Sequence, residues 1–186
     1  MKKILVITAH PSSKGFTHML AKRIQEIEVK KGNIAEIVDL YKSDFKDSYV
    51  TFEQSPGEII IPSHIQEMQQ KVKQTNEIIL ISPLWNLDTP AIMKNWFDSV
   101  FTARFAFRFT PSGLPKGLLP HITAKMYITC DAPSWIYFFT GNLTKRLWKK
   151  WRFGICGIKV KEFKFIGKMR LKSQEEREKL VLKLYK

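Results

Sequence analysis

A single doubly wound α/β domain over residues 1–186, with a five-stranded parallel sheet in the order 2-1-3-4-5 and helices on both faces, is the fold class the sequence predicts. Five strand-like runs alternate with five helix-like runs, with no repeat and no linker, which argues for one parallel sheet. Ile78–Ile81 is a short unbroken apolar run rich in β-branched residues, as a central strand buried on both faces requires. The glycine fingerprint of a dinucleotide-binding unit is missing after the first strand, which selects this strand order over the dinucleotide one.

Lys3–Thr8 is the expected first strand and leads into His10-Pro11-Ser12-Ser13-Lys14-Gly15-Phe16-Thr17. A helix follows, with Thr17 as its expected N-cap, Met19, Leu20, Ile24 and Ile27 on its apolar stripe, and Lys31-Gly32-Asn33 at its end. Strand, short polar loop and helix N-terminus is the arrangement in which unpaired backbone N–H groups and the helix dipole hold a phosphate, although the P-loop glycine spacing is lacking. A structural histidine that caps the strand end is the lesser, second reading of His10. Ile34–Leu40 reads as the second strand, closed by Asp39-Leu40-Tyr41. Residues 42–61, with Asp44, Phe45, Asp47 and a Ser55-Pro56-Gly57 turn, are polar and irregular, either a surface loop or a dimer contact. A helix over residues 62–75 runs through Ile65, Met68 and Val72.

The central strand should stop at Ser82-Pro83, because proline cannot donate to a sheet ladder. A new helix is expected from Thr89 as N-cap and Pro90 as first helical residue, through Ile92, Met93, Trp96, Phe97, Val100 and Phe101. Between them lies Leu84-Trp85-Asn86-Leu87-Asp88. Loops after strand C-termini form the ligand crevice of an open α/β sheet, so this apolar loop with one indole is the first place to look for a flat ligand. In residues 102–120, Phe105, Phe107 and Phe109 alternate as on a short strand over the core, or border a pocket. Lys125–Thr129 reads as the fourth strand, running into Thr129-Cys130-Asp131-Ala132-Pro133. Trp135, Tyr137 and Phe138 make the next stretch aromatic, until Gly141-Asn142. Leu143–Phe153 is a basic amphipathic helix with Leu147, Trp148 and Trp151, expected to pack its apolar side on the sheet; a membrane or nucleic-acid surface is the other reading. Val160–Ile166 is the last strand, and Ser173 with Glu176 three residues on opens a closing helix to Leu184.

At this size folding buries about 70% of the unfolded surface. Cys130 and Cys156 are too few for a disulfide framework and form no CxxC pair, which points to a reducing cytoplasm and to no metal. The N-terminal apolar run ends at His10-Pro11 without a cleavage site, and no run reaches the roughly 18 apolar residues of a membrane span, so no integral membrane segment is expected. Thirty-one Lys and Arg against seventeen Asp and Glu give a formal charge of +14, which attracts anions but says nothing of fold. Tyr137 and His121 are the candidate proton donors, each more readily structural.

The run P-L-W-N-L-x-x-P-A-I-M-K-N-W-F-D-x-V-F from Pro83 to Phe101 resembles the flavin-contacting loop and following helix of the NAD(P)H dehydrogenase (quinone) family, flavodoxin-like reductases related to DT-diaphorase. The likeness extends from Lys3 to about Ile166: His10-Pro11, then Gly15-Phe16-Thr17, the D-L-Y triplet, F-A-F where the family has F-A-Y, T-x-D-x-P as in its short bacterial branch, and the element around Cys156-Gly157-Ile158. It implies a flavodoxin-like fold. It also implies that His10, Gly15, Phe16 and Thr17 surround a flavin phosphate, that Pro83, Leu84, Trp85, Asn86 and Leu87 lie along the ring, and that Thr129 and Asp131 reach its edge. Phe107 in place of tyrosine removes a hydroxyl from the substrate side.

The expected activity is an FMN-dependent NAD(P)H oxidoreductase passing hydride to quinones or similar small electron-poor acceptors. FMN is preferred to FAD because residues 42–61 and the short C-terminus leave little material for an adenosine site. The family also implies a homodimer with each flavin near the interface; a cytoplasmic location, read from the two cysteines, and no nucleic-acid partner are expected beside it. Two alternatives stand beside it: an ancillary regulatory subunit of a potassium efflux system, docking a peripheral membrane partner through the basic helix, or a cationic nucleic-acid- or lipid-binding protein on the same scaffold.

Overall fold

In the computed structural model, which describes residues 1–46, 49 and 61–185, the chain alternates strand and helix as the hydrophobic pattern demands. In order come β1 (Lys3–Thr8), α1 (Phe16–Lys30), β2 (Ile34–Asp39), α2 (Ser63–Lys73), β3 (Glu77–Pro83) and α3 (Ala91–Val100). There follow β4 (Phe107–Phe109), β5 (Pro115–Gly117), β6 (Thr123–Thr129), α4 (Ile136–Phe139), α5 (Leu143–Arg146), β7 (Lys159–Ile166) and α6 (Gln174–Leu184). The five-stranded sheet runs β2-β1-β3-β6-β7, every neighbouring pair parallel, which is 2-1-3-4-5 counted along its own strands.

The period-2 geometry of β3 sends Ile79 and Ile81 into the layer under α1 and α6, and Ile78 and Leu80 into the layer with Trp96, Trp148 and Phe153. All four β3 side chains are fully buried, each contributing about 1.5–3 kcal/mol. Parallel polarity puts the C-terminal ends of β1, β3 and β6 on one edge, with Thr8 opposite Ile81 and Pro83 opposite Thr129.

Several boundaries differ from the sequence reading. Gly15, extended at φ −82° and ψ 169°, is the N-cap of α1, which makes Thr17 its second helical residue. Pro90 caps α3 in place of Thr89, whose N–H is taken by the Asp88 carboxylate at 2.7 Å. β2 stops at Asp39, because that carboxylate accepts the Tyr41 N–H at 3.1 Å and turns the chain. β4 and β5 form a small antiparallel hairpin in which Phe107 packs on the core but Phe109 is exposed. Beyond α5 the helix widens into a π turn over Leu147–Arg152. Its longer i→i+5 turn keeps residues four apart in line, so Thr144, Trp148 and Arg152 all face inward, while Trp151, expected on the packed side, points to solvent. The Ser173–Glu176 capping box is present, with both reciprocal bonds made, at 3.2 and 2.7 Å. Asp47 and the Ser55-Pro56-Gly57 turn lie outside the described residues.

Candidate functional site

Two loops leave adjacent strands on the same sheet edge. After β1 the chain passes His10, whose Nδ1 accepts the Ser12 N–H at 3.0 Å, and enters α1 at Gly15. A Cβ on Gly15 would stand 3.4 Å from the His10 ring, so the imidazole lies directly against the helix start. Helix geometry leaves the first N–H groups without intrahelical acceptors. The His18 and Met19 N–H groups reach Gly15 O at 3.1 and 3.2 Å, whereas those of Phe16 and Thr17 meet no acceptor among the described residues. The first turn holds no acidic side chain. Thr17 Oγ1 sits 3.4 Å from Nδ1 of His18, whose Nε2 is 2.9 Å from the Asp39 carboxylate. Two free N–H groups, a hydroxyl and the positive end of a helix dipole are a donor set suited to a phosphate group.

After β3, Leu84 N–H donates to Thr129 O at 2.7 Å and continues the ladder one step past Pro83. Trp85 and Asp88 exchange both backbone bonds, at 2.7 and 3.0 Å, closing a two-residue turn. Its central residues, Asn86 and Leu87, have φ of +49° and +64°, the paired left-handed values of a type I′ turn. Asparagine tolerates this region. Leucine does so at a cost of about 1–2 kcal/mol. The turn leaves the Asn86 and Leu87 N–H groups without acceptors among the described residues and half-exposes the Trp85 and Leu87 side chains. An apolar ledge with two fixed donors suits a flat heteroaromatic ring.

The cost is offset by the helix at residues 143–152. Thr144 Oγ1 donates to Leu87 O at 2.5 Å, and Arg152 makes a bidentate pair with Asp88 at 2.9 and 2.6 Å while its guanidinium stacks 4.5 Å over the Trp148 ring. Burial pushes the Asp88 carboxyl up, but hydrogen bonds from Arg152 and the Thr89 N–H outweigh it, so its pKa is lowered from 3.8. A depressed carboxyl contributes stability above its unfolded pKa that is lost as pH falls through the folded value. The difference in melting temperature between wild type and Asp88→Asn is therefore expected to be full above about pH 5 and to shrink below about pH 4. A difference that persists unchanged to pH 2 would assign the loss to packing.

A family profile described as Flavodoxin-like fold matches residues 2–185. The chain belongs to the Flavodoxin-like fold family. Among its relatives, an "Uncharacterized NAD(P)H oxidoreductase" of Haemophilus influenzae is 30% identical over 181 residues, covering 95% of this chain and 89% of that protein. An "FMN-dependent NADH:quinone oxidoreductase" of Mycoplasma mobile is 27% identical over 166 residues, covering 86% and 81%. The crystal structure of Smu.1420 from Streptococcus mutans UA159 is similar with a TM-score of 0.86 at 26% identity, covering 97% of this chain and 95% of that one.

In this member of the Flavodoxin-like fold family, His10, Gly15, Phe16 and Thr17 come together at the helix start, Phe16 through its backbone since its ring is buried in the core. Pro83, Leu84, Trp85, Asn86 and Leu87 form the neighbouring loop. Thr129 is buried and uses its carbonyl to hold Leu84, and Asp131 is exposed one strand over. Tyr137 is buried, stacked on Phe165 with centroids 4.6 Å apart, and burial together with a hydrogen bond to Cys130 pushes its pKa up to about 12. His121 lies elsewhere: it precedes β6, and its Nε2 is 3.2 Å from Lys73 O, at the sheet edge where the strands begin. A residue ahead of a parallel strand cannot reach loops that follow the strands. His18, Asp39, Asp88, Thr144 and Arg152 were missed; the D-L-Y triplet marked Asp39 without giving it a partner, and Arg152 was hidden in a basic run. Among the described residues no cluster of three or more His, Cys, Asp or Glu could hold a metal ion, and no helix is long and apolar enough to cross a membrane.

Proposed function

We propose that this chain is an FMN-dependent oxidoreductase that takes hydride from NAD(P)H and delivers it to quinones or similar electron-poor acceptors. The carrying observation is the pairing of an anion-receptive helix start after β1 with a left-handed apolar turn after its neighbour β3, each with two N–H groups that meet no acceptor among the described residues. Phe16 and Thr17 N–H, the Thr17 hydroxyl and His10 would hold the FMN phosphate. Trp85 and Leu87 would cover the ring and keep water from it, and Asn86 and Leu87 N–H would donate along its edge, with Thr129 and Asp131 on the far side. Bound FMN supplies the hydride chemistry, accepting from nicotinamide and giving to the acceptor. Donors fixed in advance by the Thr144 and Arg152 contacts need no reorganisation when negative charge develops near them. Tyr137, with its raised pKa and stacked ring, has a packing role. The relatives' names support the activity, the sequence resemblance supports a homodimer, and the two unpaired cysteines support a cytoplasmic location.

The test is the visible spectrum of purified protein with added FMN, then anaerobic NADPH or NADH, then a soluble quinone. Retained flavin bands that bleach with nucleotide and return with quinone are expected. A protein that fails to retain FMN after gel filtration would sink the reading.

A further inference from the structure

We propose that His18 is a positioning residue for the phosphate: bound FMN draws a second proton onto its ring, and the imidazolium turns the Thr17 hydroxyl toward the phosphate. The proposal rests on FMN lying in the cradle at the start of α1.

Thr17 and His18 are neighbours in the first turn of α1, and both are buried. Nε2 of His18 lies 2.9 Å from an oxygen of the Asp39 carboxylate, which has only lone pairs to offer, so that nitrogen carries a hydrogen. Nδ1 is left to face Thr17 Oγ1 at 3.4 Å. Among the described residues the ring meets no other hydrogen-bonding or charged partner. Lys42 shares the same Asp39 oxygen at 3.7 Å, while the second oxygen accepts the Tyr41 N–H. His10, against Gly15 at the same helix start, is the other imidazole of the cradle.

One hydrogen then decides what the cradle offers, because a hydroxyl has a single hydrogen to donate. With Nδ1 bare, the Thr17 hydrogen goes to the imidazole, and Oγ1 turns its lone pairs to a phosphate that has only acceptors when ionised. The two repel. With a proton from solvent on Nδ1, the ring donates to Oγ1 and the Thr17 hydrogen is released to the phosphate. The cradle then holds a third donor beside the Phe16 and Thr17 N–H groups, and the added positive charge is balanced by Asp39. Hydrogen bonds to an ionised acceptor are roughly twice as strong as neutral ones, so phosphate and second proton favour each other. The coupling is reciprocal.

A tie between α1 and the end of β2 is the plainer role of His18, and it needs only the Nε2 bond. Glutamine and asparagine separate the two roles, because a glutamine amide reaches toward the position of Nε2 and an asparagine amide toward that of Nδ1. The test is fluorescence titration of His18→Gln and His18→Asn with FMN and with riboflavin, beside melting of the apoproteins. His18→Gln keeps the Asp39 contact and should melt closest to wild type, yet bind FMN about thirtyfold more weakly. His18→Asn should melt lower, yet stay within about threefold of wild type for FMN. Riboflavin should bind all three alike. In imidazole nitrogen NMR of wild type, at a pH just high enough for the ring of the free protein to be neutral, added FMN should protonate both nitrogens of His18, assigned by its absence from the variants. FMN affinities that follow melting temperature, an equal loss of riboflavin, or a ring that keeps one bare nitrogen with FMN bound would each overturn the proposal and leave flavin binding itself standing. A wild-type protein that retains no FMN would overturn both together.

Discussion

Replacing Arg152 with methionine is expected to lower FMN affinity by about tenfold or more and to destabilise the apoprotein by about 2–4 kcal/mol. The guanidinium is buried and the Asp88 carboxylate is one-third exposed, so its removal strands a carboxylate that water can only partly solvate. That sets the stability loss toward the lower end of the range for broken buried pairs. The affinity loss has a different origin. Asn86 and Leu87 keep their left-handed backbone because Asp88 is clamped at one end of the turn and Leu87 O at its centre. Without the clamp the turn relaxes toward φ < 0 and its two N–H groups no longer point one way. Arg152→Lys restores a charge but not a fork, so it should recover most of the stability and little of the affinity. Flavin fluorescence titration and apoprotein melting, read on both variants, separate the two effects. Affinities that follow stability one for one would show that Arg152 acts on the fold alone.

The parallel order, the central strand and the loop between β3 and α3 were legible because they depend on local pattern: β-branched runs, a proline stop, helical spacing of Ile92, Met93 and Trp96. The Ser173–Glu176 cap was legible for the same reason, since both partners lie within one turn. What stayed hidden depends on distance or on competition. Asp88 and Arg152 are 64 residues apart and His18 and Asp39 are 21 apart, pairings that appear only once the sheet is assembled. Trp151 was expected on the packed side because a 3.6-residue period puts it beside Trp148, and the π turn changes that period. His121 could have been excluded from sequence, since the strand it precedes fixes which edge it occupies. The helix starts were displaced because hydroxyl residues are the usual N-caps, yet Thr17 sits two positions past the true cap Gly15 and Thr89 one position before the true cap Pro90.

That displacement leads to the sharpest test of the phosphate cradle. Gly15→Asp is expected to stabilise the apoprotein by a few tenths of a kcal/mol while reducing FMN binding by about a hundredfold. At φ −82° and ψ 169° the backbone of Gly15 suits any residue, and a Cβ there meets the His10 ring at ordinary contact distance, so the substitution brings no strain. An aspartate at the N-cap accepts the N–H groups that Gly15 leaves free and favours the helix dipole. It also places a negative charge where the phosphate would lie and occupies its donors. Opposite signs for stability and binding can arise only if those N–H groups belong to an anion. Riboflavin, which lacks the phosphate, should bind wild type and variant alike. Equal loss of FMN and riboflavin would place the phosphate elsewhere, and unchanged FMN affinity would leave the start of α1 with a capping role alone.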